Sequence, residues 1–409
     1  MTSPTLDSRR LHAAVADLAR IGAIDGGGCA RLALTDEDRA GRDLVVSWMR
    51  ALGLAVHIDA IGNIFALRAG REDGSPVMTG SHIDTVRTGG RFDGNLGVLA
   101  GLEVCRALDQ AGITTRRPLC VAVFTNEEGA RFQPDMMGSL VHAGGLSLQE
   151  AWAATDGEGK RVGDELERIG YRGPMAPGTI RPHAYVELHI EQGPVLEEAG
   201  VTIGAVSGVQ GISWTEIVVS GTSAHAGTTP MRLRHDAGFV AGACMTFARQ
   251  LTMDMGGAQV ATVGAIELRP NLINVIANRA RFTLDLRNTD EALLQEAERR
   301  AFAFIDDVCR AEGCTVERRT LARFEPVEFA TDMVERVERL ARAHGRSVTR
   351  LPSGAGHDAQ MMARLCPTGM IFVPSVKGLS HNVAEFTHPA DIEAGAAILL
   401  DLMLELADT

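Results

Sequence analysis

The sequence predicts an α/β fold in which a doubly wound domain is interrupted by a smaller α+β domain. Three observations support this prediction. Strand, loop and helix patterns alternate in the first half of the chain, a βαββαβ order begins near residue 212, and the alternation returns after residue 326. A chain of 409 residues also exceeds the ~250–300 residues at which single cores stop growing. We therefore predict a first domain from residues 1–211 and 327–409 and an inserted domain from residues 212–326.

Apolar spacing and turn residues indicate the elements of the first domain. Thr35 is the predicted N-cap of a helix, since Asp38 follows three residues later and apolar residues then recur at helical spacing. Alternating runs at 54–58 and 64–67, divided by Gly62-Asn63, predict a hairpin. Further strands are predicted at 76–80, 119–124 and 184–190, and a helix ends near residue 108. The run at 119–124 is continuously apolar, which is typical of a strand buried in a parallel sheet.

The inserted domain is predicted to contain four strands and two helices. Strands at 212–219, 260–268, 277–286 and 314–324, with helices at 236–253 and 291–312, predict a compact unit with its helices on one face. The alternating strand at 212–219 is expected either to pair with another subunit as an edge or to be covered within its own domain. A helix at 333–344, a strand at 370–373 and a helix at 391–406 then resume the first domain.

Composition excludes several classes of partner. The net charge of −12, without any cluster of Lys and Arg, argues against nucleic acid and anionic membranes. Charged residues interrupt the first 20 positions, so we expect neither a signal peptide nor a membrane span there. The seven cysteines are scattered and form no C-x-x-C pair, which is typical of buried thiols in a reducing cytoplasm. We therefore expect a cytoplasmic protein with no nucleic-acid or membrane partner.

Polar side chains lie at the ends of the predicted strands and in glycine-rich loops, where ligands bind in α/β sheets. Imidazole and carboxylate groups suit divalent Zn, Mn or Co, so together they predict a hydrolytic metal site. Glu127 and Glu128 follow a predicted buried strand, and adjacent side chains of an extended stretch point in different directions, so one could bind metal while the other faces a water. Asp84 is expected to accept the second imidazole N–H of His82. The candidate ligands are His82, Asp93, Glu128, His189 and His381.

Each candidate taken alone also has a simpler explanation. The alternatives are loop histidines at His82 and His381, an Asp-Gly turn at Asp93, a solvated acidic turn at Glu127-Glu128 and a core histidine at His189. The metal hypothesis depends on the whole set, none of which falls in the predicted inserted domain.

Five stretches of the chain resemble the amidase/hydantoinase/carbamoylase branch of the aminoacylase-like dinuclear metallohydrolases. The resemblance covers almost the whole chain, and the third and fourth stretches are highly specific to this branch. The stretches are Gly80-Ser81-His82-Ile83-Asp84-Thr85, Gly90-Arg91-Phe92-Asp93-Gly94, Asn126-Glu127-Glu128-Gly129-Ala130-Arg131-Phe132, Glu187-Leu188-His189-Ile190-Glu191-Gln192-Gly193-Pro194 and Ser380-His381-Asn382.

The resemblance implies two divalent metal ions (Zn, Mn or Co) bridged by Asp93. His82 and His189 would complete one site, and Glu128 and His381 the other, with Asp84 and the general base Glu127 beside them. It further implies a catalytic domain and an inserted lid/dimerisation domain, paired in a homodimer in which His225 reaches the neighbouring subunit. The implied substrate contacts are Gln192 for the ureido group, His225 for the oxyanion, Asn274 and Arg287 for the carboxylate, and Gly356 in the pocket loop.

The expected reaction is the hydrolysis of an N-carbamoyl-L-amino acid, a small ureido acid, to the amino acid, carbon dioxide and ammonia. Allantoate amidohydrolase and ureidopropionase activities are the alternatives within the same branch. A metal-binding homologue that has lost catalysis is an alternative of another class, although such a protein would be expected to lack Glu127. A dipeptidase-like enzyme is a further alternative, which a rate on dipeptides would distinguish.

Overall fold

A computed structural model describes residues 4–408 of the chain. The described residues divide into two compact units. The first runs up to Gly208 and resumes at Glu328, and the second is Val209–Val327. All seven cysteines are free thiols; six are buried and Cys366 is half-buried. Within residues 4–408, no helix offers a stretch long and apolar enough to cross a membrane.

The first stretch of the first unit alternates strands and helices as expected. Thr35 caps α2, because its side chain accepts a hydrogen bond from the Asp38 amide. Several short helices around residues 137–199 and the strand β6 were not predicted from the sequence. The elements are α1 (Ser8–Ala19), α2 (Asp36–Ala51), β1 (Ala55–Ile58), β2 (Ile64–Arg68), β3 (Val77–His82), α3 (Asn95–Gln110), β4 (Leu119–Phe124), α4 (Met137–His142), α5 (Leu148–Ala153), α6 (Val162–Ile169), β5 (Ala184–Ile190), α7 (Val195–Ala199) and β6 (Ile203–Val209).

The second unit has a five-stranded antiparallel sheet and two long helices. Its buried cluster includes Ile217 and Phe282 from the strands and Leu251 and Ile305 from the helices. The elements are β7 (Gly211–Ser220), a 3-10 helix (Met231–Leu233), α8 (Ala237–Met255), β8 (Val260–Thr262), β9 (Ile266–Arg269), β10 (Arg279–Asn288), α9 (Glu291–Glu312) and β11 (Thr315–Phe324).

One prediction about this second sheet was wrong, and of the two alternatives left open for the strand at 212–219 the structure supports the second, a strand covered within its own domain. The strand expected at 260–268 is broken into β8 and β9, which pair with different parts of β10. The strand β7 is not an edge, because β10 and β11 both pair with it along most of its length. Its backbone groups are therefore already used, and the outer strands are β11 on one side and β8 and β9 on the other.

The rest of the chain completes the first unit and its sheet of nine strands. Strand β13 was not predicted from the sequence. The elements are β12 (Val327–Glu328), α10 (Thr331–Ala343), β13 (Val348–Ser353), α11 (Asp358–Met362), β14 (Thr368–Val373), a 3-10 helix (Val376–Gly378) and α12 (Pro389–Asp408).

The centre of the first sheet is parallel and its flanks are antiparallel. Strands β4, β3, β5 and β14 are parallel neighbours in that order, while β2 and β6 pair antiparallel with the outer two. All six residues of β4 are buried, as its apolar sequence predicted. The α/β fold class with a second α+β unit is confirmed, and the predicted hairpin forms the antiparallel pair β1–β2 at one flank of the sheet. The carboxyl ends of β3, β4 and β5 consequently meet at one edge of the sheet.

Candidate metal centre

The five candidate ligands converge at this edge of the first sheet. His82 is the last residue of β3, His189 lies one residue before the end of β5, and Glu128 follows β4. Asp93 lies in the loop before α3, and His381 follows the 3-10 helix after β14. Four of these side chains are largely buried, whereas that of His381 is 50% exposed.

Asp93 lies between two groups of side chains. Its Oδ1 atom is 3.6 Å from His82 Nε2 and 3.2 Å from His189 Nε2. Its Oδ2 atom is 3.5 Å from His381 Nε2, which is in turn 3.1 Å from Glu128 Oε2. Within each group the ligand atoms all lie within 4.8 Å of one another, a spacing that suits a divalent metal ion. The two oxygens of one carboxylate thus face two separate ligand sets.

Main-chain carbonyls orient two of the histidines. His82 Nδ1 donates a hydrogen bond to the Asp84 carbonyl (2.9 Å), and His189 Nδ1 donates one to the Ile190 carbonyl (2.8 Å). Because Nδ1 carries the proton, the neutral ring presents a free lone pair on Nε2 toward Asp93. The Gly94 amide indeed donates to His189 Nε2 at 3.2 Å. Both rings are therefore held in the tautomer that binds metal.

The prediction that the Asp84 carboxylate accepts a hydrogen bond from the His82 ring is wrong. The carboxylate of Asp84 accepts the main-chain amides of Glu127 and Glu128 instead, each at 3.3 Å. The main-chain carbonyl of Asp84 accepts the hydrogen bond from the His82 ring, and the Asp84 side chain points toward the loop after β4. Asp84 therefore orients the Glu127-Glu128 turn through its side chain and His82 through its backbone.

Glu127 faces the same space as the candidate ligands. Its Oε2 atom is 3.3 Å from His82 Nε2, and the residue is only 7% exposed. Burial raises the pKa of Glu127 well above its usual range, although His82 acts in the opposite direction. Glu128, its neighbour, turns instead toward His381. The two adjacent carboxylates thus face different histidines.

The electrostatics of the centre fit bound cations. Burial opposes ionisation of Asp93, but its three neighbouring histidines hold its pKa well below its usual range. Hydrogen bonds to Asp93 and Glu128 raise the pKa of His381 to about 11. The buried carboxylates therefore require nearby positive charge, and the donor set of imidazole nitrogens and carboxylate oxygens is one that divalent ions accept. These residues suit divalent metal binding.

Strained backbone marks the same loops. Asn126, Gln192 and His381 adopt positive φ angles of 54°, 60° and 53°, which non-glycine residues adopt uncommonly. Asn126 directly precedes Glu127, and its side-chain amide holds the loop by donating to the carbonyls of Phe132 and Pro134. Strain of this kind collects at functional sites, where the surrounding structure enforces it.

Gly94 is required by its surroundings as well as by its φ angle of 63°. A Cβ atom at this position would lie 2.4 Å from Cε1 and 2.5 Å from Nε2 of His82. Any side chain here would displace the ring from Asp93.

A second layer of polar groups holds Asp93. Gln192 Nε2 and Ser380 Oγ donate to Asp93 Oδ2 at 2.8 Å and 2.9 Å. Glu385 Oε1 accepts the main-chain amide of Asp93 at 3.2 Å. Sequence reasoning gave Gln192 a substrate contact and missed Ser380 and Glu385, although Ser380 lies inside a matching stretch. Loop residues carry no periodic signal, so Glu385 could not be separated from an ordinary surface carboxylate.

A third layer lies behind His189. The His357 ring packs against the His189 ring with centroids 4.5 Å apart, and the predicted pocket residue Gly356 directly precedes it. Glu187 is fully buried and accepts hydrogen bonds from Ser81 Oγ (2.7 Å) and the Ala359 amide (2.8 Å). Glu187 was missed, but its position two residues before His189 on one strand puts both side chains on the same face.

The other predicted residues lie in the second unit. His225 is exposed, and its Nδ1 atom accepts the amides of Gly227 and Thr228. The Asn274 carbonyl accepts the amide of Ala226, so these two loops are adjacent. Arg287 forms a two-pronged ion pair with Asp285, with Nη2 2.9 Å from Oδ2. The oxyanion and carboxylate contacts expected of His225, Asn274 and Arg287 remain predictions.

Comparison with known proteins finds relatives over the whole chain. Residues 78–405 match peptidase family M20/M25/M40. The chain is 42% identical over 406 residues to an N-carbamoyl-L-amino-acid amidohydrolase of Rhizobium meliloti, covering 98% of this chain and 97% of that protein. It is 34% identical over 394 residues to an allantoate amidohydrolase of Escherichia coli (strain K12), covering 95% and 96%. A solved amidase of the hydantoinase/carbamoylase family from Burkholderia multivorans has a TM-score of 0.93 and 44% identity, with 100% of both chains covered.

Proposed function

The chain belongs to peptidase family M20/M25/M40 and is a hydrolase of C–N bonds other than peptide bonds, and from this premise we propose that it hydrolyses N-carbamoyl-L-amino acids. In the net reaction, the ureido acid and one water yield the amino acid, carbon dioxide and ammonia. The observation that carries the choice of substrate is the 42% identity to an N-carbamoyl-L-amino-acid amidohydrolase across nearly the full length of both chains.

In this proposal, two divalent ions would be held by side chains that include Asp93. His82 and His189 would hold one ion, and Glu128 and His381 the other. This assignment is supported by the distances from the two Asp93 oxygens, which face these two groups separately. When bound, such ions polarise the scissile carbonyl and lower the pKa of an attacking water.

Glu127 is the proposed general base. Its buried carboxylate accepts the proton of the attacking water and returns it to the leaving nitrogen. Two features support this role. Glu127 faces His82 from within the site, and Asp84 fixes the turn that carries it by accepting two main-chain amides.

Gln192, His225, Asn274, Arg287 and Gly356 are the proposed substrate contacts. Arg287 suits the substrate carboxylate because a planar guanidinium pairs with both oxygens of a carboxylate, as it already does with Asp285. Gln192 suits the ureido group because its Oε1 atom is buried and accepts no hydrogen bond from the described residues, while its Nε2 atom is bound to Asp93.

A homodimer is the proposed assembly, formed through the second unit as a lid/dimerisation domain. Helix α8 carries exposed apolar side chains, among them Phe239 (58% exposed) and Met253 (70% exposed). Exposed apolar side chains of this kind support contact with a second subunit at this surface. The outer strands of the second sheet also leave backbone groups open to pairing, whereas β7 does not.

A substrate panel tests the proposal. The protein is stripped of metal by chelation and assayed with Mn, Co or Zn on N-carbamoyl-L-amino acids, allantoate, ureidopropionate and dipeptides. We expect activity only with added metal, and the fastest turnover on N-carbamoyl-L-amino acids. Full turnover by demonstrably metal-free protein would refute the metal chemistry, and faster turnover of another substrate would refute the choice of substrate.

Allantoate is the second candidate substrate. It is favoured by the 34% identity to the Escherichia coli allantoate amidohydrolase, which also extends over nearly the whole chain. The same water chemistry would act on a larger diureido acid, so the panel separates the two by rate.

A further inference from the structure

Glu385 connects two loops of the candidate metal centre that are far apart in the sequence. It lies four residues after His381 and is only 3% exposed. Its Oε1 atom accepts the main-chain amides of Phe92 (2.9 Å) and Asp93 (3.2 Å), 293 and 292 residues away. A buried carboxylate that accepts two amides holds the backbone of the Asp93 loop against the His381 loop.

Ser380 extends this connection to the Asp93 side chain. Its hydroxyl lies 2.9 Å from Asp93 Oδ2 and 3.3 Å from Glu385 Oε2, with a single proton to donate. Glu385 therefore fixes the backbone of Asp93, while Ser380 fixes the direction of its carboxylate. The result is that Oδ1 faces His82 and His189 while Oδ2 faces His381.

The space around Glu385 is closed. A Cβ atom added to Gly90 would lie 2.1 Å from Glu385 Oε1 and 2.4 Å from its Cβ. The loop that carries Asp93 can approach the carboxylate this closely only because residue 90 is glycine.

We propose that Glu385 is a positioning residue for the metal centre, which acts by orienting the shared ligand Asp93 toward both ligand groups. This inference rests on the proposed metal site. Removal of Glu385 leaves the Phe92 and Asp93 amides without an acceptor and frees the Asp93 carboxylate to turn. Both metal positions lose affinity, because both depend on Asp93.

The experiment is a calorimetric titration of metal-free full-length protein with Mn²⁺ and Zn²⁺. Glu385→Ala and the shorter Glu385→Asp should weaken binding by about 10–100-fold, the usual loss for partners that orient metal ligands. Glu385→Gln should stay within a few-fold of the parent, because it keeps an oxygen for the two amides and directs its amide group to Ser380 Oγ.

Glu103→Ala is the matched control. Glu103 is another buried glutamate of the same unit, 2% exposed, that accepts the Asp7 amide and pairs with Arg10 at a distance from the site. It should lower stability without changing metal affinity.

The inference is overturned if Glu385→Asp binds metal as tightly as the parent protein. It is also overturned if Glu103→Ala weakens metal binding as much as the Glu385 variants do. If Glu385→Ala does not fold, the difference in metal affinity between Glu385→Asp and Glu385→Gln tests the inference. A parent protein that binds neither metal refutes the proposed function itself, which is a separate result.

Discussion

At the scale of single residues, the acidic side chains of the centre differ in the group that each one faces, and hydrogen bonds rather than residue type determine this difference. Glu127 and Glu128 are adjacent glutamates, yet Glu127 faces His82 and Glu128 faces His381. The Asp84 carboxylate holds both of their amides and so fixes the turn between them. A base and a metal ligand can therefore occupy neighbouring positions without competing for one ion.

Glu127→Gln should lower kcat by about 10²–10⁴-fold while metal content is retained, because an amide of nearly the same shape cannot accept the proton of water. Glu128→Gln is the comparison, since it should lower metal affinity. Steady-state rates and metal analysis of both variants test this prediction. A Glu127→Gln protein nearly as active as the parent would require another base.

His142 should make stability depend on pH. Its Nε2 donates to the Ile180 carbonyl (3.0 Å) and its Nδ1 accepts the Gly178 amide (3.3 Å), so the buried neutral ring is satisfied. Burial lowers the pKa of His142 from 6.5 to about 4. The folded state thus binds fewer protons than the unfolded state between these values, and stability present above pH 6.5 is lost as pH falls toward 4.

The loss attributable to His142 should be about 2 kcal/mol between pH 7 and pH 5. His142→Gln preserves one donor and one acceptor but does not titrate. The difference in unfolding free energy between the parent and this variant should therefore change by that amount, in favour of the variant, from pH 7 to pH 5. Urea unfolding of both proteins at the two pH values measures the difference. Parallel pH dependence in the two proteins would contradict the prediction.

At the scale of elements, the loop after β4 is anchored on a side away from the metal ligands. Arg131 pairs with Asp156 (3.0 Å) and Glu165 (2.7 Å) and donates to the Ala33 carbonyl (3.0 Å). Its side chain is 8% exposed. These bonds hold the loop that carries Glu127 against α6 and the segment before α2, so the position of the proposed base depends on an element outside the candidate site.

Arg131→Met should lower both the melting temperature and kcat, the latter by about 10–100-fold, because small displacements of catalytic groups cost that much. Arg168→Met is the matched control. Arg168 bonds the same Glu165 at 2.9 Å but lies on α6 rather than on the loop. It should lower the melting temperature and leave kcat unchanged. Equal effects on kcat would show that loop anchoring is not the cause.

At the scale of the whole molecule, the candidate ligands and the proposed carboxylate clamp lie in different units. All five ligands belong to the first unit, whereas His225, Asn274 and Arg287 belong to the second. Under the proposed function, residues of both units would therefore contribute to the reaction. The resemblance to the hydantoinase/carbamoylase branch is confirmed by the family match and by the full-length relatives.

Mixing two inactive proteins tests whether His225 acts across a dimer. Glu127→Gln and His225→Ala homodimers should each be inactive, and subunit exchange should restore activity in mixed dimers with one complete site. Native mass spectrometry verifies that exchange has occurred. Absence of recovery after verified exchange would assign His225 and Glu127 to the same subunit's site.

By itself, the sequence determined the fold class, most of the long elements and the set of polar residues from which the candidate centre is built. Apolar period and continuous buried runs are local properties, so β4, β5 and α9 were predicted with their observed bounds. The candidate ligand set was also accessible, since each member lies at or after the end of a strand or in a glycine-rich loop.

Only the tertiary structure decided how these residues are used. Strand order made β7 central rather than an edge, because pairing joins residues far apart in the chain. Long-range hydrogen bonds join the Asp84 carboxylate to two main-chain amides after β4. Another joins Glu385 to the Asp93 amide, 292 residues away in the sequence. Hydrogen bonds between distant segments leave no periodic signal in either segment, so only the folded chain shows which loop residue supports which ligand.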